Sequence, residues 1–296
     1  MISIKVTPEQ YQEIKDHYSS YFVNAAGDYI DFVANVEGCV ITGYTSKKTK
    51  KSIIFNGENE YEEASKWVEV ETPVKKEEEK LHFVDYGEQI GSDEVGVGDF
   101  LLPMIVVAVY MRKDQYQRLK ELGVTDSKKM SDQKIREIGP TLVKEFEYSK
   151  LTLPNSKYNE MYLKEENLNS LKAKMHNRAL YNLHKKYEDV IAIYVDQFVD
   201  EKTYYKYLND ENEPIVKGIS FKTKGEQRFP SVAAASVIAR YAFLLEKDRL
   251  EAKYGIEFPC GAGPKVDKIK KVLLEKVGQE EFDSLVKKNF KNYSSN

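Results

Sequence analysis

From Ile2 to Val6 apolar and polar residues alternate (Ile-Ser-Ile-Lys-Val), the period of a half-buried strand. Pro8 opens a helical stretch to about Tyr21, since proline is tolerated in a first helical turn. Segments 28–36, 39–46 and 52–56 read as strands separated by Gly38 and the lysine-rich turn 47–51, and 59–70 reads as a closing helix. Strand, helix, several strands, helix is the order of a curved sheet backed by two helices. Residues 71–80 (ETPVKKEEEK) carry dense charge without apolar periodicity, the mark of an exposed linker. The expected organisation is a small α+β unit over 1–70, a charged linker over 71–86 and a larger unit over 87–296.

Beyond residue 88 the elements lengthen. Segments 89–95 and 102–112 read as buried strands joined by a glycine-bearing turn. A helix over 131–146 and a strand near 146–153 follow. Residues 165–187 read as one amphipathic helix with Leu168, Leu171, Met175 and Leu183 on a single face. A strand is expected over 189–198 and a long helix over 230–253, opening with Ala233, Ala234 and Ala235.

Composition narrows the class. A chain of 296 residues that is 41% hydrophobic and 31% charged suits two unequal globular units. It holds no run of 18 apolar residues, so no membrane partner is expected, and its first residues lack a secretory layout. Two distant cysteines, Cys39 and Cys260, make neither a disulfide framework nor a zinc site, and the expected location is the cytoplasm. A net charge of −3 gives no direct sign of nucleic acid. Charge position matters more, and Lys47, Lys48, Lys50 and Lys51 form a local basic cluster.

The candidate chemistry is acidic. Asp93 and Glu94 are adjacent carboxylates at the expected end of an apolar strand, followed by Gly96 and Gly98. Side chains alternate across a strand, so both acids reach one site only from a strand end, unless one acts through its backbone carbonyl. Asp196 closes the apolar run VIAIYVD, where burying a carboxylate is costly unless a cation offsets it. Glu226 lies in a basic loop before the helix that begins near Pro230. Taken singly, each acid also fits a solvated surface role. Together they offer hard oxygen ligands for Mg²⁺ or Mn²⁺ and for two-metal phosphodiester hydrolysis. His17, His82, His176 and His184 are scattered, and no nucleophile triad or dinucleotide fingerprint is present.

Four segments, GSDEVGVGD (91–99), TDSKKMS (125–131), YVDQF (194–198) and KGEQRFPSVAAASVIARY (224–241), resemble the type 2 ribonucleases H. LNSLKAKMHNRAL (168–180) and FPCGAGPKVD (258–267) extend the likeness over most of 82–290. Glu226 at the fourth acidic position, Val97 between two glycines and the N-terminal extension make the ribonuclease HIII group the nearest in pattern.

The resemblance implies an α/β catalytic domain, a ribonuclease H-like mixed sheet flanked by helices, behind an α+β domain like the TATA-binding protein. It implies endonucleolytic hydrolysis of the RNA strand of RNA–DNA hybrids, leaving 5′-phosphate and 3′-hydroxyl ends. Asp93, Glu94, Asp196 and Glu226 would be the catalytic, metal-binding acids, with Mg²⁺ or Mn²⁺ as cofactor and no small-molecule cofactor. Gly96, Val97 and Gly98 would read the ribose 2′-hydroxyl through their backbone. Asp126, Ser127, Lys128 and Lys129 would grip phosphates. Lys172, Lys174, Asn177 and Arg178 fit backbone contacts or a solvated helix face equally well.

The family's usual threonine is Val97 here, and Phe100-Leu101-Leu102-Pro103 replaces a Tyr-Phe-Gly-Pro-like run. Tyr44 and Phe55 fit sugar packing or, more simply, the core. A monomer is expected. The rival readings are a ribonuclease HII-like enzyme cutting at single embedded ribonucleotides and a hybrid-binding protein that does not cleave.

Overall fold

A computed structural model describes residues 2–24, 29–45, 51–57, 59–68, 83–85, 87–124, 127, 129–165, 167–190, 192–209 and 213–294. Two compact units emerge, Met1–Glu79 and Lys80–Asn296.

In the first unit five strands form one antiparallel sheet: β1 (Ile2–Val6), β2 (Phe22–Val23), β3 (Ile30–Val36), β4 (Cys39–Tyr44) and β5 (Lys51–Gly57), in the order β1-β5-β4-β3-β2. Helices α1 (Pro8–His17) and α2 (Glu60–Ser65) accompany them. Thr7 caps α1 in a reciprocal capping box with Gln10. Alternation puts Ile4, Val6, Phe32, Ala34, Ile41, Ile53 and Phe55 into a core with Tyr11, Ile14 and Tyr18 of the first helical region. Phe55 is therefore a core residue, while Tyr44 lies half-buried on the other face. The helix expected to reach Tyr21 stops at His17, and the one expected over 59–70 spans six residues. Residues 46–50, with Lys47, Lys48 and Lys50, lie outside the described residues, as does most of the expected linker. The linker's last positions need correction. Phe83 is buried, Val84 donates to the Arg228 carbonyl and Asp85 accepts from the Tyr194 hydroxyl, so 83–85 pack into the second unit.

The second unit has a mixed sheet of β6 (Gln89–Val95), β7 (Met104–Met111), β8 (Glu147–Leu153), β9 (Ile193–Asp196) and β10 (Ile219–Lys222), ordered β10-β9-β6-β7-β8. Strand β6 is antiparallel to β7 and parallel to β9. The helices are α3 (Tyr116–Glu121), α4 (Asp132–Glu145), α5 (Asn155–Glu165), α6 (Leu168–His184), α7 (Glu201–Leu208), α8 (Gly225–Arg228), α9 (Pro230–Tyr254), α10 (Pro264–Leu285) and α11 (Lys291–Ser294).

Buried on both faces, β7 reads as a continuous apolar run and sorts its side chains by parity. Ile105, Val107, Val109 and Met111 join a core with Ala233, Ala234, Val237 and Ile238 of α9. Met104, Val106, Ala108 and Tyr110 join a second core with Leu171, Met175 and Leu180 of α6. The helix expected over 165–187 is α6, shortened to Leu168–His184 and capped by Asn167, which accepts from the Asn169 N–H; α5 precedes it as a separate helix. The strand expected over 189–198 shortens to Ile193–Asp196. Among the described residues no helix is long and apolar enough to cross a membrane.

Candidate active site

Parity in β7 fixes where the paired residues of β6 point. Asp93 pairs with Val107, on the α9 side, and Glu94 pairs with Val106, on the α6 side. Both acids lie near the end of β6, whose bounds are those expected, and their carboxylates face opposite layers.

On the α9 side, Ser92 is level with Val195 in the parallel ladder, so Asp93, one step on, is level with Asp196. Asp196 Oδ1 accepts the Gly225 N–H at 2.9 Å, which ties the end of β9 to the start of α8. A Cβ on Gly225 would lie 3.3 Å from the Asp196 Cα, a tight fit that glycine avoids. Glu226 follows, 3% exposed. Asp93 is 7% exposed and also bonds the Ser236 hydroxyl of α9. Ser236 and Ser127 share a second hydrogen bond at 2.6 Å. Burial, then the negative charges of Glu94 and Asp196, push the Asp93 carboxyl well above its ordinary value, while Ser236 opposes them.

On the α6 side, Glu94 is clamped. One carboxylate oxygen pairs with Lys172 and the other accepts from His176 Nε2 at 2.9 Å. The Nδ1 atom of His176 lies 2.8 Å from the Ser92 hydroxyl. Phe198 supports both partners, 4.0 Å from the Lys172 ammonium and stacked on His176 at 5.4 Å. Burial would raise the Glu94 pKa, but His176 and then Lys172 outweigh it and hold the carboxyl down at about 2.

After β6 the chain turns through Gly96, Val97 and Gly98. Gly96 has a φ of 84°, and a Cβ there would meet the Pro103 carbonyl oxygen at 2.0 Å, so glycine is required. Gly98 is exposed, with nothing within 4 Å of a Cβ position.

The basic residues divide. Lys172 and Asn177 are buried, so neither presents an open face to a ligand. Asn177 donates to the Pro214 carbonyl and accepts from the Val216 N–H, fastening α6 to the segment before β10. Arg178 is exposed and paired with Glu213 at 2.9 Å. With Lys174, Lys157 and Lys164 it lines a groove beside α5 and α6. Lys129 is exposed, while Asp126 and Lys128 lie outside the described residues. In the first unit the Lys51 ammonium sits 4.5 Å from the centre of the Tyr11 ring.

Sequence reasoning missed Ser92, Ser236 and Lys287, and left His176 without a role. Ser236 hid in a run of small residues that reads as helix packing. Lys287 hid in a charged tail that reads as surface.

The acids suit a hard divalent cation. Buried like charges that push Asp93 upward are what a bound cation relieves, and the donors on that face are all oxygens. Among the described residues no three His, Cys, Asp or Glu side chains are gathered closely enough to hold an ion alone. Mg²⁺ does not need such a cage, since it binds through one or two carboxylates together with waters and substrate phosphates. Zinc, which takes Cys and His sets, does not fit.

Comparison with known proteins agrees with this geometry. The family model described as Ribonuclease HII matches residues 90–293, and one described as Domain of unknown function (DUF3378) matches residues 1–80. A curated protein named Ribonuclease HIII from Bacillus mycoides is 41% identical over 272 residues, covering 88% of this chain and 86% of its own. Ribonuclease HIII of Bacillus licheniformis is 38% identical over 302 residues, covering 98% and 95%. Among solved structures, Bst-RNase HIII in complex with Mn²⁺ superposes with a TM-score of 0.69 at 30% identity, over 99% of this chain and 97% of that one. RNase H3 of Aquifex aeolicus shares the fold, with a TM-score of 0.56 at 21% identity, over 97% of this chain and 99% of that one.

Proposed function

The chain belongs to the ribonuclease HIII family, and from that membership we propose a residue-level account of how it cuts the RNA strand of RNA–DNA hybrids. The reaction is metal-dependent endonucleolytic hydrolysis. Water adds to phosphorus, the bond to the 3′ oxygen breaks, and the products carry a 5′-phosphate and a 3′-hydroxyl.

The observation that carries the account is the placement of Asp93 level with Asp196 on one face of the sheet. Asp93, Asp196 and Glu226 would hold Mg²⁺ or Mn²⁺ through carboxylates. Bound divalent ions supply an activated water and steady the charge on the leaving oxygen. Glu94 would contribute its carbonyl. The Ile90 N–H of β6 donates to the Ala192 carbonyl on the β9 edge, and with a period of two the N–H and carbonyl of Glu94 face that same edge, where Asp196 ends β9. The Glu94 carboxylate, held by Lys172 and His176, would keep β6 in register with α6. Ser236 would orient Asp93, and Ser127 would link that bond to the phosphate-gripping segment 126–129. The backbone of Gly96, Val97 and Gly98 would meet the ribose 2′-hydroxyl, which distinguishes RNA from DNA. Lys174, Arg178 and Lys129, solvent-facing or half-buried cations, would contact phosphates.

The first unit would add binding surface for the hybrid, and the working form would be a cytoplasmic monomer without an organic cofactor. Two free cysteines, Cys39 buried and Cys260 exposed, suit a reducing compartment.

The test is cleavage of an end-labelled hybrid with Mg²⁺, Mn²⁺ or EDTA, beside a DNA duplex carrying one ribonucleotide. Metal-dependent cutting of the hybrid, with little at the single ribonucleotide, supports this reading. Equal cutting of both indicates ribonuclease HII-like specificity, and tight binding without cutting would overturn the catalytic assignment.

A further inference from the structure

The second unit contains a fully buried lysine outside the acidic site. Lys287 follows α10 and is 0% exposed. Its ammonium donates to the carbonyl oxygens of Gly96, Asp99 and Leu102, each at 2.6 Å. Its own backbone N–H donates to the Phe100 carbonyl at 3.0 Å. One residue from the C-terminal tail thus holds four carbonyls of the turn that leaves β6.

Three hydrogens meet three acceptors, so only the charged amine satisfies the arrangement. Burial draws Lys287 down to about 7, against the pull of Asp99, and the three oxygens replace the water the cation has lost. The rest of the turn is braced separately. Phe100 donates to the Gly261 carbonyl, and Asp99 Oδ1 accepts the Gly261 N–H at 2.5 Å.

The direction of these carbonyls has a consequence on the opposite side of each peptide. In a trans peptide the C=O of one residue and the N–H of the next point opposite ways. A Gly96 carbonyl aimed inward at Lys287 therefore aims the Val97 N–H outward.

We propose that Lys287 is a positioning residue for ribose recognition: by gripping the carbonyls of Gly96, Asp99 and Leu102 it fixes the direction of the Val97 N–H that meets the 2′-hydroxyl. This rests on the reading of the glycine turn as the ribose-contacting element. It assigns a task to a side chain that touches no substrate. It also accounts for Val97, because the contact is made by backbone whose direction is set from behind.

The test uses the full-length protein. Affinities for an RNA–DNA hybrid and for a DNA duplex of the same sequence are measured for wild type, K287M and K287Q, with KM and kcat on the hybrid and a thermal melt for each. Lys287→Met removes all three donors. Lys287→Gln keeps two and serves if the methionine variant does not fold. The expected result is a hybrid-over-duplex preference about tenfold weaker, the worth of one hydrogen bond, with the loss falling on KM more than on kcat. A purely structural role would instead lower the active fraction and kcat while leaving KM and the preference unchanged, and that result overturns the proposal. If wild type itself shows no preference for the hybrid, the reading of the turn fails, and the role of Lys287 fails with it. If wild type prefers the hybrid and the folded variants keep that preference, Lys287 alone is wrongly assigned.

Discussion

Asp93 and Glu94 are consecutive in the chain, yet Asp93 bonds Ser236 of α9 on one side of the sheet and Glu94 is gripped by Lys172 and His176 of α6 on the other. The two acids therefore have opposite energetics. Asp93 is a buried charge crowded by like charges, and Glu94 is a buried charge held by cationic and N–H partners.

Asp93→Asn should abolish cleavage and stabilise the metal-free protein. The raised carboxyl of the folded state binds a proton more readily than the unfolded chain does. Its contribution is therefore fully favourable below the ordinary aspartate range and is lost as pH rises. The amide removes that loss, so Tm in EDTA at neutral pH should rise by about 2–4 °C for each kcal/mol relieved. The gap between variant and wild type should close near pH 4. A lower Tm for D93N at pH 7 would contradict the assignment.

Added Mn²⁺ should raise the Tm of wild type and leave D93N nearly unmoved, because a ligand that binds only the folded state stabilises it by mass action. Equal shifts in both proteins would place the ion elsewhere.

Glu94→Gln should cost about 3 kcal/mol in urea unfolding, since removing one partner strands the Lys172 charge in a buried setting. The double variant E94Q/K172M should recover most of that loss. The acid limb carries the same signature. A carboxyl held down at about 2 contributes stability above its ordinary value of 4.5, and that stability is lost as pH falls towards 2. Wild type should lose stability across that window more steeply than E94Q.

Ser236→Ala should lower kcat/KM on the hybrid by about tenfold, as one hydrogen bond to Asp93 and one to Ser127 disappear together. Unchanged kinetics would remove Ser236 from the account.

Much of this was legible in the sequence. The apolar runs of β6 and β7 and the small-residue opening of α9 announced a sheet buried on both faces, and the motif order announced the acids. The bounds of β6 follow from the sequence, but the partner each acid meets does not, because α6 and α9 reach the strand only through the fold. The roles of Lys172 and Asn177 were hidden likewise. A polar residue on an amphipathic helix reads as solvent-facing unless its buried partner is known, and Glu94 and the 214–216 segment reach α6 only through the fold. Lys287 is the extreme case, since nothing near it in the chain marks it as interior.

The alternation in β6 also limits how the gene can vary. Deleting or inserting one codon between Gln89 and Asp93 would exchange the faces of every later side chain in the strand, presenting the position-93 carboxylate to Lys172 and the position-94 carboxylate to Ser236. Length changes in this segment should therefore be lethal to activity even where each residue type is kept.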